Sequence, residues 1–173
     1  MAAEKNPSGT RPSSADQVDF TIRTVRLRDI PAITRLNAQL GYPESTGNIV
    51  LRYRLILRDR RNHRVFVAVA GVSTEQPNQE VIGWIHVFAD KLLTVGPRAE
   101  IGGLVVDERW RSRGVGAALV KRAEQWAQRK QLLEVVVHTN VVRIRAHSFY
   151  ERCGYKLLKQ SRVYTKVLRS SLD

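Results

Sequence analysis

The chain has 173 residues, 43% hydrophobic and 26% charged, the size and balance of one globular domain with a sizeable core. No apolar run approaches the roughly 18 residues of a membrane span. The run MAAEKNPSGTRPSSADQ lacks a signal peptide's apolar core, and one cysteine, Cys153, excludes an internal disulfide framework and points to a reducing, cytoplasmic setting. Lys and Arg number 29 against 16 Asp and Glu, a formal net charge of +13, and 22 of the basic residues are arginine. Such a surface suits nucleic acid, acidic proteins, anionic lipid heads or a polyphosphate cofactor, and charge alone does not choose among them. No Cys/His spacing suggests a metal.

Residues 1–19, rich in Ser, Pro, Ala and Gly, read as a disordered leader, with the domain proper spanning 20–173. Phe20 to Leu27 has the β-branched content of a strand. Asp29 and Pro31 then mark a helix start, with Ile33, Leu36 and Leu40 on its apolar stripe and Gly41 closing it. A second helix is expected from about Gly47 to Arg60, with Val50, Tyr53, Leu57 and part of Ile56 on one face. Val65–Ala70 and Val81–Phe88 are strand candidates, separated at hairpin length by Ser73–Gln79. Ala99–Val106 reads as a further strand, and its paired glycines, Gly102 and Gly103, predict a bulge or a close approach by another backbone or a ligand.

A third helix is expected near Gly114, with Val115, Ala118, Leu119, Ala123, Trp126 and Ala127 at helical spacing. Leu133–His138 reads as a buried strand. Val142, Ala146, Phe149, Tyr150 and Cys153 line one face of a fourth helix that Gly154 stops. Tyr155 to Leu168 reads as a last strand. The resulting order, β-α-α-β-β-β-α-β-α-β, predicts an α/β (α+β) single domain. Its central mixed, splayed sheet is flanked by about four helices and has a late parallel pair joined by a right-handed crossover.

The segment richest in chemistry is LVVDERWRSRGVGAALV. A strand ends, a short basic loop with two glycines follows, and an amphipathic helix begins. The free N–H groups and positive dipole end of that helix form an anion site, and Gly114 and Gly116 let a phosphate approach the backbone. The Walker pattern is absent, and the dinucleotide pattern fails at Leu119. Arg-x-x-Gly-x-Gly, Arg111 to Gly116, remains.

With its context, AEIGGLVVDERWRSRGVGAALV, then VVVHTN, then RIRAHSFYERCGY, this segment resembles the GNAT superfamily of acyl-CoA-dependent N-acetyltransferases. The resemblance covers about residues 20–168 and is most specific over 99–155. It implies that backbone amides of Arg111, Ser112, Arg113, Gly114, Val115 and Gly116 hold the pyrophosphate of acetyl-CoA. It also implies that Leu104 and Val106 pair with the pantetheine arm, that Asn140 contacts the cofactor, and that Tyr150 is the general acid. Glu100, before Ile101, matches the base of histone-type members. The Gly102-Gly103 pair is a departure, because relatives often carry an acidic or bulky residue there.

Acetyl transfer to an amine poses two proton problems. An ammonium of pKa near 10.4 is only about a thousandth neutral at pH 7.4, a penalty of about 4 kcal/mol, so a base must act directly or through water. The departing thiolate must gain a proton. Glu100 is the first candidate base, with His86, His138 or a bound water as alternatives. His147 lies off the apolar stripe, and Cys153 reads as a buried inert thiol.

Around the second helix six arginines (Arg52, Arg54, Arg58, Arg60, Arg61 and Arg64) face only Asp59. They read either as a solvated face or as a lip for an acceptor carrying negative charge, nucleic acid or a ribosome. The expected function is acetyl transfer from acetyl-CoA to a primary amine. A non-catalytic acyl-CoA sensor and a basic nucleic-acid module are the other readings. Oligomeric state stays open, a homodimer included.

Overall fold

The computed structural model describes residues 19–71 and 79–168. The expected leader, apart from Asp19, and most of the Ser73–Gln79 connection lie outside the described residues. The chain divides into two compact units, Met1–His138 and Thr139–Asp173.

The first unit is built on a five-stranded sheet in the order β1-β2-β3-β4-β5. Its strands are β1 (Phe20–Thr24), β2 (His63–Ala70), β3 (Glu80–Asp90), β4 (Arg98–Val106) and β5 (Val135–Val137). The first four run antiparallel to their neighbours, and β5 lies parallel to β4. The parallel pair is joined through α3 (Val115–Arg129), as the strand–helix–strand passage predicts.

Two helices precede β2. The first, α1 (Ile30–Leu40), has Pro31 in its first turn and ends at Gly41, whose φ of 91° is left-handed. Asp29 does not cap α1 with its side chain. Its carboxylate instead accepts from the Arg26 N–H and from both terminal nitrogens of Arg23. The second, α2 (Thr46–Arg58), starts at Ser45, whose hydroxyl accepts from the Asn48 N–H at 3.1 Å. Ile49 is its buried residue, with Val50, Tyr53 and Ile56 half-buried against the core. Leu57, expected on that face, is exposed. The core-facing stripe of α2 is Ile49, Val50, Tyr53 and Ile56, and Leu57 stands beyond its edge.

Helices α1 and α2 pack on the face that carries Val65, Val67, Val69, Trp84 and Val105. The opposite face receives α3, whose Leu119 approaches Gly83 and whose Arg122 guanidinium lies 5.0 Å over the Phe66 ring. The buried face of α3 is Val115, Leu119, Val120, Ala123, Trp126 and Ala127, so Val120 rather than Ala118 completes the stripe. Among the described residues no helix is long and apolar enough to cross a membrane.

Two strand expectations are corrected. The fifth strand holds three half-buried residues rather than six buried ones, and Leu133 is exposed. It is an edge strand, and its partner leaves it after Ile101. In the second unit α4 (Ile144–Arg152) is present and Gly154 follows it at φ 90°, but Val142 precedes the helix and is exposed. Tyr155 to Leu168 forms no strand and is exposed beyond Tyr155, because its backbone finds no ladder partner among the described residues. Strand-type side chains alone do not make a strand; cross-strand pairing does.

Candidate active site

The site grows from a defect in β4. Its register against β3 runs Gly103 to His86 and then Ile101 to Val87, so Gly102 is an extra residue. Both glycines present their Cα hydrogens to the α1–α2 face. A Cβ on Gly103 would stand 2.8 Å from Cη2 of Trp84, and one on Gly102 3.1 Å from the Phe88 ring and 3.4 Å from Nδ1 of His86. The predicted bulge is present, and the groups that approach the two glycines are side chains rather than another backbone. Pairing of β4 with β5 covers only Ala99, Glu100 and Ile101. Among the described residues the β5-facing edge of β4 therefore has no strand beside it from Gly102 to Val106, and Leu104 and Val106 lie along that edge half-buried. Unpaired strand edges of this kind can pair with an amide-bearing chain.

Past Val106 the chain is anchored by a buried carboxylate. Asp107 is fully buried and accepts from the N–H, Nε and a terminal nitrogen of Arg109, each at 3.1 Å, and from Arg35. These contacts hold its carboxyl well below the usual carboxylate range, with the Arg109 side chain the leading cause and burial opposing it. A single 3₁₀ turn, Glu108–Trp110, follows. Arg111 Nε donates to the Val106 carbonyl at 3.2 Å, and the Arg113 guanidinium lies 5.5 Å over Trp110.

Next the backbone turns left-handed at Ser112 (φ 61°) and Gly114 (φ 80°) and enters α3. Among the described residues the backbone N–H groups of Ser112, Arg113, Gly114, Val115, Gly116 and Ala117 have no hydrogen-bond partner. Arg111, Ser112, Arg113 and Gly114 are exposed. Unpaired donors at the positive end of a 15-residue helix, flanked by two guanidinium groups, fit a pyrophosphate.

The candidate bases Glu100 and His86 lie on the α1–α2 face of the sheet. Glu100 is half-buried, and its Oε2 stands 3.7 Å from Nε2 of the more exposed His138. His86 is half-buried beside Gly102, and its Nε2 meets Nδ1 of His63 at 3.1 Å. Burial first, and the neighbouring His63 second, push His86 down to about 4.

Asn140 and Tyr150 belong to the second unit. The Asn140 side chain accepts from the Val142 N–H at 3.1 Å, and its backbone carbonyl meets Nε2 of His147 at 3.0 Å. This turn leads into α4. Tyr150 packs edge-on against Phe149 and Tyr155, with ring centroids 5.1 and 5.6 Å apart. Burial, with Cys153 adding to it, pushes its hydroxyl up to about 12, so it keeps its proton throughout neutral pH. Cys153 is half-buried rather than fully enclosed.

Three functional candidates escaped the sequence reading. Asp107 carried no signal beyond its place after a strand. His63 and Trp84 become relevant only through strand register, His63 by meeting His86 and Trp84 by lying against Gly103. Among the described residues no three His, Cys, Asp or Glu side chains are grouped to hold a metal.

A splayed β4, an amide-rich turn and the helix it opens are the parts of an acyl-CoA-dependent acetyltransferase fold. The family model for the GNAT acetyltransferases matches residues 32–155, and the chain belongs to that family. Streptothricin acetyltransferase from Escherichia coli is 31% identical over 80 residues, 46% of this chain and 44% of that protein, so the matched part spans less than half of the relative's length. Among solved structures, a transcriptional regulator from Bacillus halodurans C-125 superimposes with a TM-score of 0.74 at 23% identity, covering 86% of this chain and 100% of the other. The enzyme AAC(6')-Iy, solved with a bisubstrate analogue of CoA and acetylneamine, gives 0.73 at 18% identity, covering 87% and 99%. Glucosamine-6-phosphate N-acetyltransferase from Arabidopsis thaliana gives 0.67 at 20%, again covering 87% and 99%. At these identities the structural likenesses show the fold.

Proposed function

We propose that this protein is an N-acetyltransferase that moves the acetyl group of acetyl-CoA to a primary amine by direct attack. The observation that carries the reading is the run of unpartnered N–H groups from Ser112 to Ala117, at the end of a strand whose outer edge is open. Acetyl-CoA supplies an acyl carbon activated by its thioester. In this reading the amides of Ser112 to Gly116 bind the pyrophosphate, and Arg111 and Arg113 add charge. The backbone of Leu104 and Val106 pairs with the pantetheine arm, and Asn140 adds a further contact. Glu100, directly or through a water, takes the ammonium proton. Tyr150, which stays protonated at neutral pH, gives the departing thiolate its proton.

For the acceptor we propose an amine bearing negative charge. Between residues 47 and 64 six arginines stand against one aspartate. Arg52 is drawn to Glu44, whereas Arg54 and Arg58, one turn apart on α2, are exposed with no carboxylate partner among the described residues. Such a lip favours anionic amines and repels polycations.

Calorimetry with acetyl-CoA, followed by thiol release with phosphoethanolamine, an acidic dipeptide, spermidine and an aminoglycoside, tests both parts. Acetyl-CoA binding with phosphoethanolamine or the dipeptide preferred at low salt is expected. Absence of binding would defeat the function, and spermidine or the aminoglycoside as the best substrate would defeat the acceptor class. In the same assay Glu100→Gln should lower kcat while acetyl-CoA affinity stays unchanged. An unchanged kcat with chemistry rate-limiting would remove Glu100 as the base.

A further inference from the structure

His63 of β2 and His86 of β3 form a stacked pair with ring centroids 5.3 Å apart and Nδ1 of His63 3.1 Å from Nε2 of His86; Phe88 flanks both rings. Two neutral imidazoles can share that contact only if one donates and the other accepts. The direction is set at the far end. Nε2 of His63 stands 3.9 Å from Oδ2 of Asp59, the residue that closes α2, and the Asn62 side-chain amide holds that carboxylate at 3.0 and 3.1 Å. A carboxylate favours an N–H turned toward it, and with the His63 proton on Nε2 its Nδ1 accepts from Nε2–H of His86. The remaining lone pair of His86 is then on Nδ1. That atom is 3.4 Å from where a Cβ on Gly102 would stand, and Gly102 is exposed. A side chain at the bulge would crowd that nitrogen, and glycine leaves the space beside it free of a Cβ.

We propose that His86 is a second proton acceptor for the acceptor amine, through Nδ1, and that His63 and Asp59 are positioning residues that hold it in that tautomer. This rests on the acetyl-transfer reading above. An ammonium sheds two protons in becoming an amide, one before attack and one after; one is matched by the proton the thiolate gains, and one leaves for water. Glu100 and His86 serve this sequence together rather than as rivals. In the His86 step an N–H bond of the amine breaks, its electron pair stays on nitrogen, and the proton joins the Nδ1 lone pair. The imidazolium then returns that proton to water across the exposed Gly102 strip. The groups facing His86 are His63 from β2, Phe88 on its own strand and the Gly102 backbone of β4. Glu100, paired with His138, is the acid two residues along β4.

The tautomer is testable without any acceptor. Long-range 1H–15N spectra of the full-length, 15N-histidine-labelled protein should show His86 protonated on Nε2 only, and still neutral at pH 6. A proton on Nδ1 would overturn the proposal. In thiol-release assays with acetyl-CoA and the best amine of the panel, His86→Ala should lose at least thirtyfold in kcat while acetyl-CoA affinity stays within twofold. Added imidazole should restore part of the rate. His63→Ala should lose about tenfold, and His63→Asn, whose amide oxygen can replace Nδ1 as acceptor, should recover most of it. If wild type transfers acetyl groups and His86→Ala stays within twofold, or His63→Asn is as slow as His63→Ala, the inference fails while the acetyltransferase reading stands. If wild type does not bind acetyl-CoA, the reading itself fails.

Discussion

Replacing Asp107 by alanine is the sharpest test of how the cofactor loop is built. The carboxylate is fully buried and accepts four hydrogen bonds, three from Arg109 and one from Arg35. Hydrogen bonds to a charged group contribute about 1.5–3 kcal/mol each, and breaking a fully buried ion pair costs about 3–5 kcal/mol. The arginines are 42% and 61% exposed, so water can take over part of their solvation when the carboxylate is gone. A net loss of about 3 kcal/mol is therefore expected, which in a domain of this size lowers Tm by roughly 6–12 °C. Because the loop continues directly into the unpartnered amides from Ser112 onward, acetyl-CoA affinity should fall as well. The pH dependence has a definite sign. The folded carboxyl lies below its unfolded value, so its stabilisation is complete above the unfolded pKa and is lost as pH falls below about 4. Calorimetric scans of wild type and Asp107→Ala should therefore converge toward acid pH. A Tm drop under 2 °C at pH 7, with unchanged acetyl-CoA affinity, would refute the anchoring argument.

Three further outcomes follow from the geometry. Gly103→Ala places a methyl 2.8 Å from the buried Trp84 ring and should destabilise by about 1–3 kcal/mol, seen as a lower Tm. An unchanged Tm would mean the ring can move aside. Tyr150→Phe should keep Tm and acetyl-CoA affinity but lower kcat, and wild-type kcat should show no loss from this group until pH approaches about 12. Equal kcat with chemistry rate-limiting removes Tyr150 from the mechanism. Reversing Arg54 and Arg58 to Glu should move the amine ranking toward cations, an effect that shrinks with salt as the Debye length falls from about 10 Å at 0.1 M to about 3 Å at 1 M. A ranking insensitive to both makes those arginines a solvated face.

Many of the elements were legible because their signals are local. Gly41, Gly114 and Gly154 lie at positive φ where a helix ends or begins, and the Gly102-Gly103 pair is a bulge, as two adjacent strand glycines imply. The Arg111–Gly116 loop could be read because a strand end, two glycines and an amphipathic helix are contiguous. What escaped depends on pairing across the sheet. Nothing local to His63 predicts that it meets His86, 23 residues away, and nothing in Asp107 predicts that Arg35 reaches it from α1. The expected last strand failed for the converse reason: Val163, Tyr164 and Val167 have strand propensity, but propensity does not supply a neighbour.

The central claim, that backbone amides between Ser112 and Gly116 bind the pyrophosphate of acetyl-CoA, is most directly tested by titrating acetyl-CoA into wild type and Gly116→Trp by calorimetry. With folding verified by Tm, the account predicts binding to wild type and loss of binding in the variant, because an indole would fill the space the anion needs. Equal affinity in the two folded proteins would contradict it.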